Sequence, residues 1–129
     1  MSVSKDLDQF YTDPKIAKIF VDKINKLIPL KYFDLVIEPS AGSGNILKYL
    51  PKNSLAFDLD PKADGIVKMN WFDYKPSVTE ILQDRMKIAV VGNPPFGTGY
   101  MNPLAKGFFN HAAKFADTIA FIVPAKYHS

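Results

Sequence analysis

Asn93-Pro94-Pro95-Phe96 follows the apolar run Ile88-Ala89-Val90-Val91-Gly92, and together they set an amide, a rigid backbone and an aromatic ring at the end of a strand. Proline has no N–H and holds φ at about −65°, so strand pairing stops at the double proline and the Pro94 carbonyl points in a fixed direction. The Asn93 amide oxygen and the Pro94 carbonyl can accept the two hydrogens of a planar –NH2 group. Phe96 can stack on the ring that carries it. The chemistry this suits is chemistry on an exocyclic amine. The same residues also read as plain punctuation, a strand closed by a proline-rich turn, so a second motif has to decide.

That motif lies upstream. Asp34-Leu35-Val36-Ile37-Glu38 reads as a buried strand, Pro39-Ser40-Ala41-Gly42-Ser43-Gly44-Asn45 as a glycine-rich turn, and Ile46-Leu47-Lys48-Tyr49-Leu50 as the start of a helix over 44–50. Strand, glycine turn and helix form the context a nucleotide-binding loop requires. Gly42 and Gly44 permit positive φ and a close approach of backbone to ligand. The pattern departs from G-x-G-x-x-G, because Leu47 stands where its third glycine would be, and there is no G-x-x-x-x-G-K-[ST] run. Glu38, at the strand's carboxyl end, would repel a pyrophosphate and suits an amino or sulfonium cation. The loop therefore favours a nucleoside bearing positive charge.

Further acids follow successive strands. Ser54-Leu55-Ala56-Phe57-Asp58-Leu59-Asp60-Pro61 reads as a second strand ending in Asp58, slightly short of the ~20 residues after the glycine loop at which an acid binds ribose hydroxyls in such folds. Asp60 is expected to cap the turn at Pro61. Met69-Asn70-Trp71-Phe72-Asp73-Tyr74 supplies a third acid, Asp73, beside aromatics suited to an adenine amine and its ring face.

With these residues in hand, the chain resembles the class I S-adenosylmethionine-dependent methyltransferases, and among them the amino-methyltransferases with an N-P-P-F/Y motif. Glu38-Pro39-Ser40-Ala41-Gly42-Ser43-Gly44 resembles the family's cofactor loop, Asp58-Leu59-Asp60-Pro61 its ribose element, Asp73 its adenine-contacting acid and Asn93-Pro94-Pro95-Phe96 its catalytic tetrapeptide. Gln9-Phe10-Tyr11-Thr12-Asp13-Pro14 resembles the element before the first helix of adenine methyltransferases, where the Tyr–Thr region contacts the methionine end of the cofactor. The resemblance runs from about Asp8 to Lys126, in the motif order of the adenine-methylating group. It implies catalytic roles for Asn93, Pro94 and Phe96, and cofactor contacts from Tyr11, Thr12, Glu38, Ser40, Gly42, Gly44, Asp58, Leu59, Asp73, Tyr74 and Asn93. The cofactor implied is S-adenosyl-L-methionine, and the substrate is adenine in nucleic acid, DNA ahead of RNA, as in restriction-modification. Enzymes acting on a protein glutamine or an RNA guanine amine share the N-P-P motif, and a cofactor-binding but catalytically silent partner subunit also stays open.

The elements that must hold these residues alternate. A helix is predicted from a Thr12 or Asp13 cap with Pro14 at its first position, its apolar face being Ile16, Phe20, Ile24 and Leu27. Strands are predicted over 34–38, 54–58, near 66–69, over 87–92 and over 118–123. Ser77 and Glu80 form a capping-box pattern opening a helix to about Arg85. Gly97-Thr98-Gly99 reads as a loop able to close over substrate. Leu104, Phe108, Ala112 and Phe115 mark a last helix, on which His111 is expected to be a surface or boundary residue. The sum is an α/β, Rossmann-like, mostly parallel sheet flanked by helices.

At 129 residues and 47% hydrophobic content, the chain reads as one catalytic domain spanning 1–129. The absence of cysteine excludes disulfides and thiolate metal sites, and with only His111 and His128 no histidine metal site is expected. No membrane-spanning or signal-peptide run is present, which points to the cytoplasm. The net charge of +3 suits a polyanion and equally a solvated lysine face. The family's sheet has seven strands and this chain reaches five, so the resemblance implies a domain incomplete at its C-terminus. A fragment, a split enzyme or an oligomer covering the fifth strand's edge are the alternatives.

Overall fold

The computed structural model describes residues 12–76, 86–95 and 103–122. Tyr11, the helix expected over 77–85, Phe96, the Gly97-Thr98-Gly99 loop and the end of the last predicted strand lie outside the described residues.

Short apolar runs between turn signals give five strands: β1 (Leu35–Glu38), β2 (Leu55–Asp58), β3 (Val67–Lys68), β4 (Ile88–Gly92) and β5 (Thr118–Phe121). Every neighbouring pair is parallel, and the order across the sheet is β3-β2-β1-β4-β5. The fold is thus the α/β, Rossmann-like sheet flanked by helices that the alternation predicts. The chain runs outward from β1 to β3, then returns to the other side of β1 with β4. Ligands of open α/β sheets bind outside the strands' carboxyl ends where the order reverses in this way. Here that place lies between Glu38, the last residue of β1, and Gly92, the last of β4.

Successive side chains of a strand face opposite sides, and both sides of this sheet are covered. Val36, Ala89 and Val91 pack with Ala17, Val21 and Ile24 of helix α1 (Pro14–Leu27), and with Leu30, Ile46 and Leu50. Ile37, Phe57, Ile88 and Val90 pack on the other side against Trp71 and against Phe108 and Ala112 of helix α2 (Pro103–Ala113). Each fully buried side chain such as Ile37 or Val90 contributes about 1.5–3 kcal/mol of transfer free energy. Edge strand β5 is half-buried along its whole length.

Three local expectations are corrected. Helix α1 begins as predicted: the Asp13 side chain accepts the Lys15 N–H at 2.8 Å and Pro14 takes the first position. Its buried arc, however, is Ala17, Val21 and Ile24, while Ile16 and Leu27 are 49% and 82% exposed. Ile24 of the predicted face is buried and Phe20 packs against the core, so only the edges of that face, Ile16 and Leu27, are misplaced, and small Ala17 with Val21 takes their part. The helix expected over 44–50 is reduced to a 3-10 turn at Leu47–Tyr49, because Pro51 lies too close for regular i→i−4 bonding to continue. His111 is buried rather than at the surface. Its Nε2 donates to the Tyr74 carbonyl at 2.8 Å, and its ring meets Trp71 edge-on at 5.0 Å.

Candidate active site

The glycine turn after β1 is pinned to the end of β2. Ala41 N–H donates to the Phe57 carbonyl at 2.8 Å, Gly42 N–H to Asp58 Oδ2 at 2.7 Å, and Lys62 N–H to the Gly42 carbonyl at 3.0 Å. Gly42 and Gly44 have φ of +56° and +82°, the conformation their side-chain-free backbone was expected to supply. A Cβ on Gly44 would also come within 3.3 Å of the Ala63 Cβ. Backbone, rather than large side chains, therefore forms this part of the rim.

Asp58 does two things at once. One carboxylate oxygen holds Gly42 N–H, and the other accepts Asp60 N–H at 2.8 Å. The residue is buried, yet it lines a cavity of about 480 Å³ beside the ends of β1, β2 and β4. Pro39, Ser40, Leu59, Asp60, Pro95 and Leu104 border the same cavity, and Met69, Asn70, Trp71, Phe72 and Phe108 complete its wall. A carboxylate oxygen has lone pairs beyond the one already engaged, so Asp58 can still accept from a hydroxyl. Asp60, at the turn before Pro61, is exposed. It pairs with Lys62 at 2.7 Å, and that hydrogen bond and charge hold its carboxyl below the usual carboxylate range.

Glu38 is enclosed between the ends of β1 and β4. It is 1% exposed, and its Oε1 has no hydrogen-bond partner among the described residues. Burial first, and the Asp58 carboxylate second, push its pKa up to about 8. Gly92 makes the room it occupies, since a Cβ there would stand 3.1 Å from Glu38 Cγ, at a φ of +155° that side chains rarely adopt. A buried acceptor without a partner costs about 1–3 kcal/mol. A cation or N–H donor brought to Glu38 would recover that energy.

Asn93 and Pro94 follow Gly92 directly, Asn93 half-buried and Pro94 buried. Asn93 Nδ2 donates to the Thr12 hydroxyl at 3.1 Å, and the Thr12 carbonyl accepts from Asn45 Nδ2 at 2.8 Å. The segment before α1 thus touches both the glycine turn and the tetrapeptide.

The structure brings Thr12, Glu38, Ser40, Gly42, Gly44, Asp58, Leu59, Asn93 and Pro94 to the reversal point or the cavity beside it. It does not bring Asp73 there. Asp73 is exposed, outside the cavity wall, at the end of the 3-10 turn Trp71–Asp73. Asn70, which precedes that turn, faces the cavity instead, with its Oδ1 accepting the Phe72 N–H at 2.9 Å. Tyr74 also stays out of the wall and packs among Phe57, Trp71 and Phe115. Sequence reasoning missed Asn70 and Asn45, while Phe72 is one of the aromatics expected to face a ring; the signal for Asn70 was its polar side chain two residues after the short strand β3. A second groove of about 550 Å³, lined in part by Tyr32, Tyr49 and Pro51, lies where the chain enters β1 and β2, at the opposite rim from the tetrapeptide.

Compared with protein-family models, with curated proteins and with solved structures, the chain gave no match in any of the three. Among the described residues, no helix is long and apolar enough to cross a membrane.

Proposed function

We propose that the chain is an S-adenosylmethionine-dependent methyltransferase acting on the exocyclic amine of adenine in nucleic acid, DNA in preference to RNA, in the cytoplasm. One observation carries the reading: where the strand order reverses, a buried carboxyl with an oxygen that has no partner among the described residues lies beside both a nucleoside-sized cavity and Asn93-Pro94. A nucleotide phosphate would meet the Asp58 carboxylate as a like charge and would hold the proton on Glu38, whereas a cationic nucleoside would meet Asp58 as a partner and draw Glu38 into its ionised form.

Asp58 would hold the ribose hydroxyls, Asn70 and the Trp71–Phe72 aromatics the base, and Glu38 the cationic end. The cofactor, when bound, supplies a methyl group already activated on sulfonium. The chain's own task is then to position an amine in line with it. Asn93 Oδ1 and the Pro94 carbonyl would accept the two amine hydrogens, draw the nitrogen lone pair out of the ring's conjugation and stabilise the charge that develops on nitrogen. Phe96 would stack on the base, and the surplus proton leaves to water after transfer. In a duplex the base has to be flipped out first, at a cost of a few kcal/mol. The outer edge of β5 is where a second chain or a second copy would pair.

Incubating the chain with labelled S-adenosylmethionine and DNA, RNA or protein acceptors tests the reading. Label on N6 of adenine supports it. Label only on glutamine or guanine amines, or no cofactor binding by folded protein, overturns it. Asn93→Ala should abolish transfer and leave cofactor affinity nearly unchanged, because the charge it meets exists only during the reaction. Parallel loss of both would refute that division of roles.

A further inference from the structure

Thr12 is tied at both its ends. Its carbonyl accepts Asn45 Nδ2 at 2.8 Å, and its hydroxyl accepts Asn93 Nδ2 at 3.1 Å. The next residue, Asp13, is fixed as the cap of α1 by its bonds to Lys15 N–H and Ala17 N–H, both 2.8 Å. Asn45 follows Gly44, whose positive φ ends the glycine turn. A residue of the nucleoside loop is therefore joined, through one threonine, to the amide that would face the amine. We infer that Asn45 is a positioning residue: by holding the Thr12 main chain it limits the orientation of the Asn93 amide. This rests on the reading of the site given above.

The physical need for such a device lies in the amide itself. Rotation of the Asn93 side chain about its last torsion exchanges an acceptor for a donor with almost no change of shape, and that torsion is intrinsically broad. An amide turned the wrong way would set N–H against N–H at the amine. A hydroxyl can donate as well as accept, so the Thr12 hydroxyl does not alone choose between the two faces of the amide, but held in place it narrows this broad torsion to positions in which one head atom of Asn93 meets it. The hydroxyl is held only if the Thr12 main chain is held, and two anchors hold it: the α1 cap on one side and Asn45 on the other. The connection also gives the loop a route to the tetrapeptide, since a ligand that orders the loop orders Asn45 with it.

The test uses the full chain with Asn45→Ala and Asn45→Asp, which remove the donor by different routes, so that a folding defect peculiar to one is recognisable. Both should lower kcat about tenfold, the effect of one hydrogen bond of ordinary net strength, with little change in KM for S-adenosylmethionine. Thr12→Val cuts the link to Asn93, so adding Asn45→Ala to it should lower kcat no further, while thermal stability still falls because the Thr12 carbonyl loses its donor. A purely structural Asn45 would lower kcat additively in the double variant, and that result overturns the proposal. Independently of turnover, the side-chain amide signal of Asn93 in a 15N spectrum, assigned by its loss in Asn93→Ala, should shift in Asn45→Ala. An unmoved signal also overturns it. Should the unsubstituted chain methylate no amine, the reading of the site fails and the spectrum alone judges the clamp.

Discussion

Replacing Glu38 by glutamine keeps the shape of the side chain and removes its charge, which makes the buried carboxyl measurable. Burial and the neighbouring Asp58 carboxylate raise its pKa from 4.5 to about 8. Between those values the native state holds a proton that the unfolded chain has released. Stability from this group is therefore fully present below pH 4.5 and falls as pH rises, by about 1.4 kcal/mol per pH unit, until it levels off above pH 8. The whole span is roughly 5 kcal/mol, an upper figure because water entry relaxes a buried anion. Glu38→Gln has no such slope. Urea denaturation at about pH 5.5 and about pH 8.5 should show the wild type losing up to about 3 kcal/mol relative to the variant. Parallel pH profiles for the two proteins would refute the argument that Glu38 is buried and protonated.

The same carboxyl makes a second, sharper forecast. A sulfonium or ammonium ligand favours the ionised form, so binding near neutral pH should expel the proton from Glu38. Calorimetry in two buffers of different ionisation enthalpy should report close to one proton released per S-adenosylmethionine bound, and none for Glu38→Gln. Affinity should rise with pH up to about 8 and then level off, following the value to which the carboxyl is raised. Binding with no proton release would mean the cation sits elsewhere.

Asp58→Ala should weaken S-adenosylmethionine or its demethylated product by about 1–3 kcal/mol and lower stability too, because Gly42 and Asp60 N–H lose their acceptor; calorimetry and urea midpoints read the two effects separately. Gly92→Ala should destabilise the fold by about 1–3 kcal/mol, since its Cβ would press on Glu38 Cγ, and thermal unfolding measures this. Asn70→Ala should lower affinity for adenosine-bearing ligands severalfold while Asp73→Ala leaves it unchanged, and the reverse ranking would restore Asp73 to the base-binding role.

The sheet was legible because most of its signals are local and repeated: short apolar runs that end in glycine, proline or an acid, with the exposed two-residue β3, followed by Met69 and Asn70, as the exception. Where an acid stands relative to its strand also carried information. Glu38 and Asp58 close their strands and lie at the ligand rim. Asp34 and Asp117 precede theirs, and at the opposite rim they accept the Lys87 and Ile88 N–H groups, both at 2.8 Å, where β4 begins. Residues whose surroundings depend on distant packing were not legible. Alternation says nothing of which arc of α1 meets the sheet, because that is set by how closely Ala17 lets the helix approach. His111 carries a polar label, but Tyr74 and Trp71, 37 and 40 positions away, bury it. The exchange of Asp73 for Asn70 has the same origin. Both stand in one short polar–aromatic stretch, and the 3-10 turn Trp71–Asp73 decides which of them faces the cavity. A charge attracted the functional reading to Asp73. The geometry gives the place to an uncharged amide whose Oδ1 is engaged by Phe72 N–H, so Nδ2 is the group it can offer. A donor there suits a ring nitrogen of a purine better than its amine. Under the proposed function the base would then be recognised by its ring, and the acids at this rim would serve the ribose and the cation.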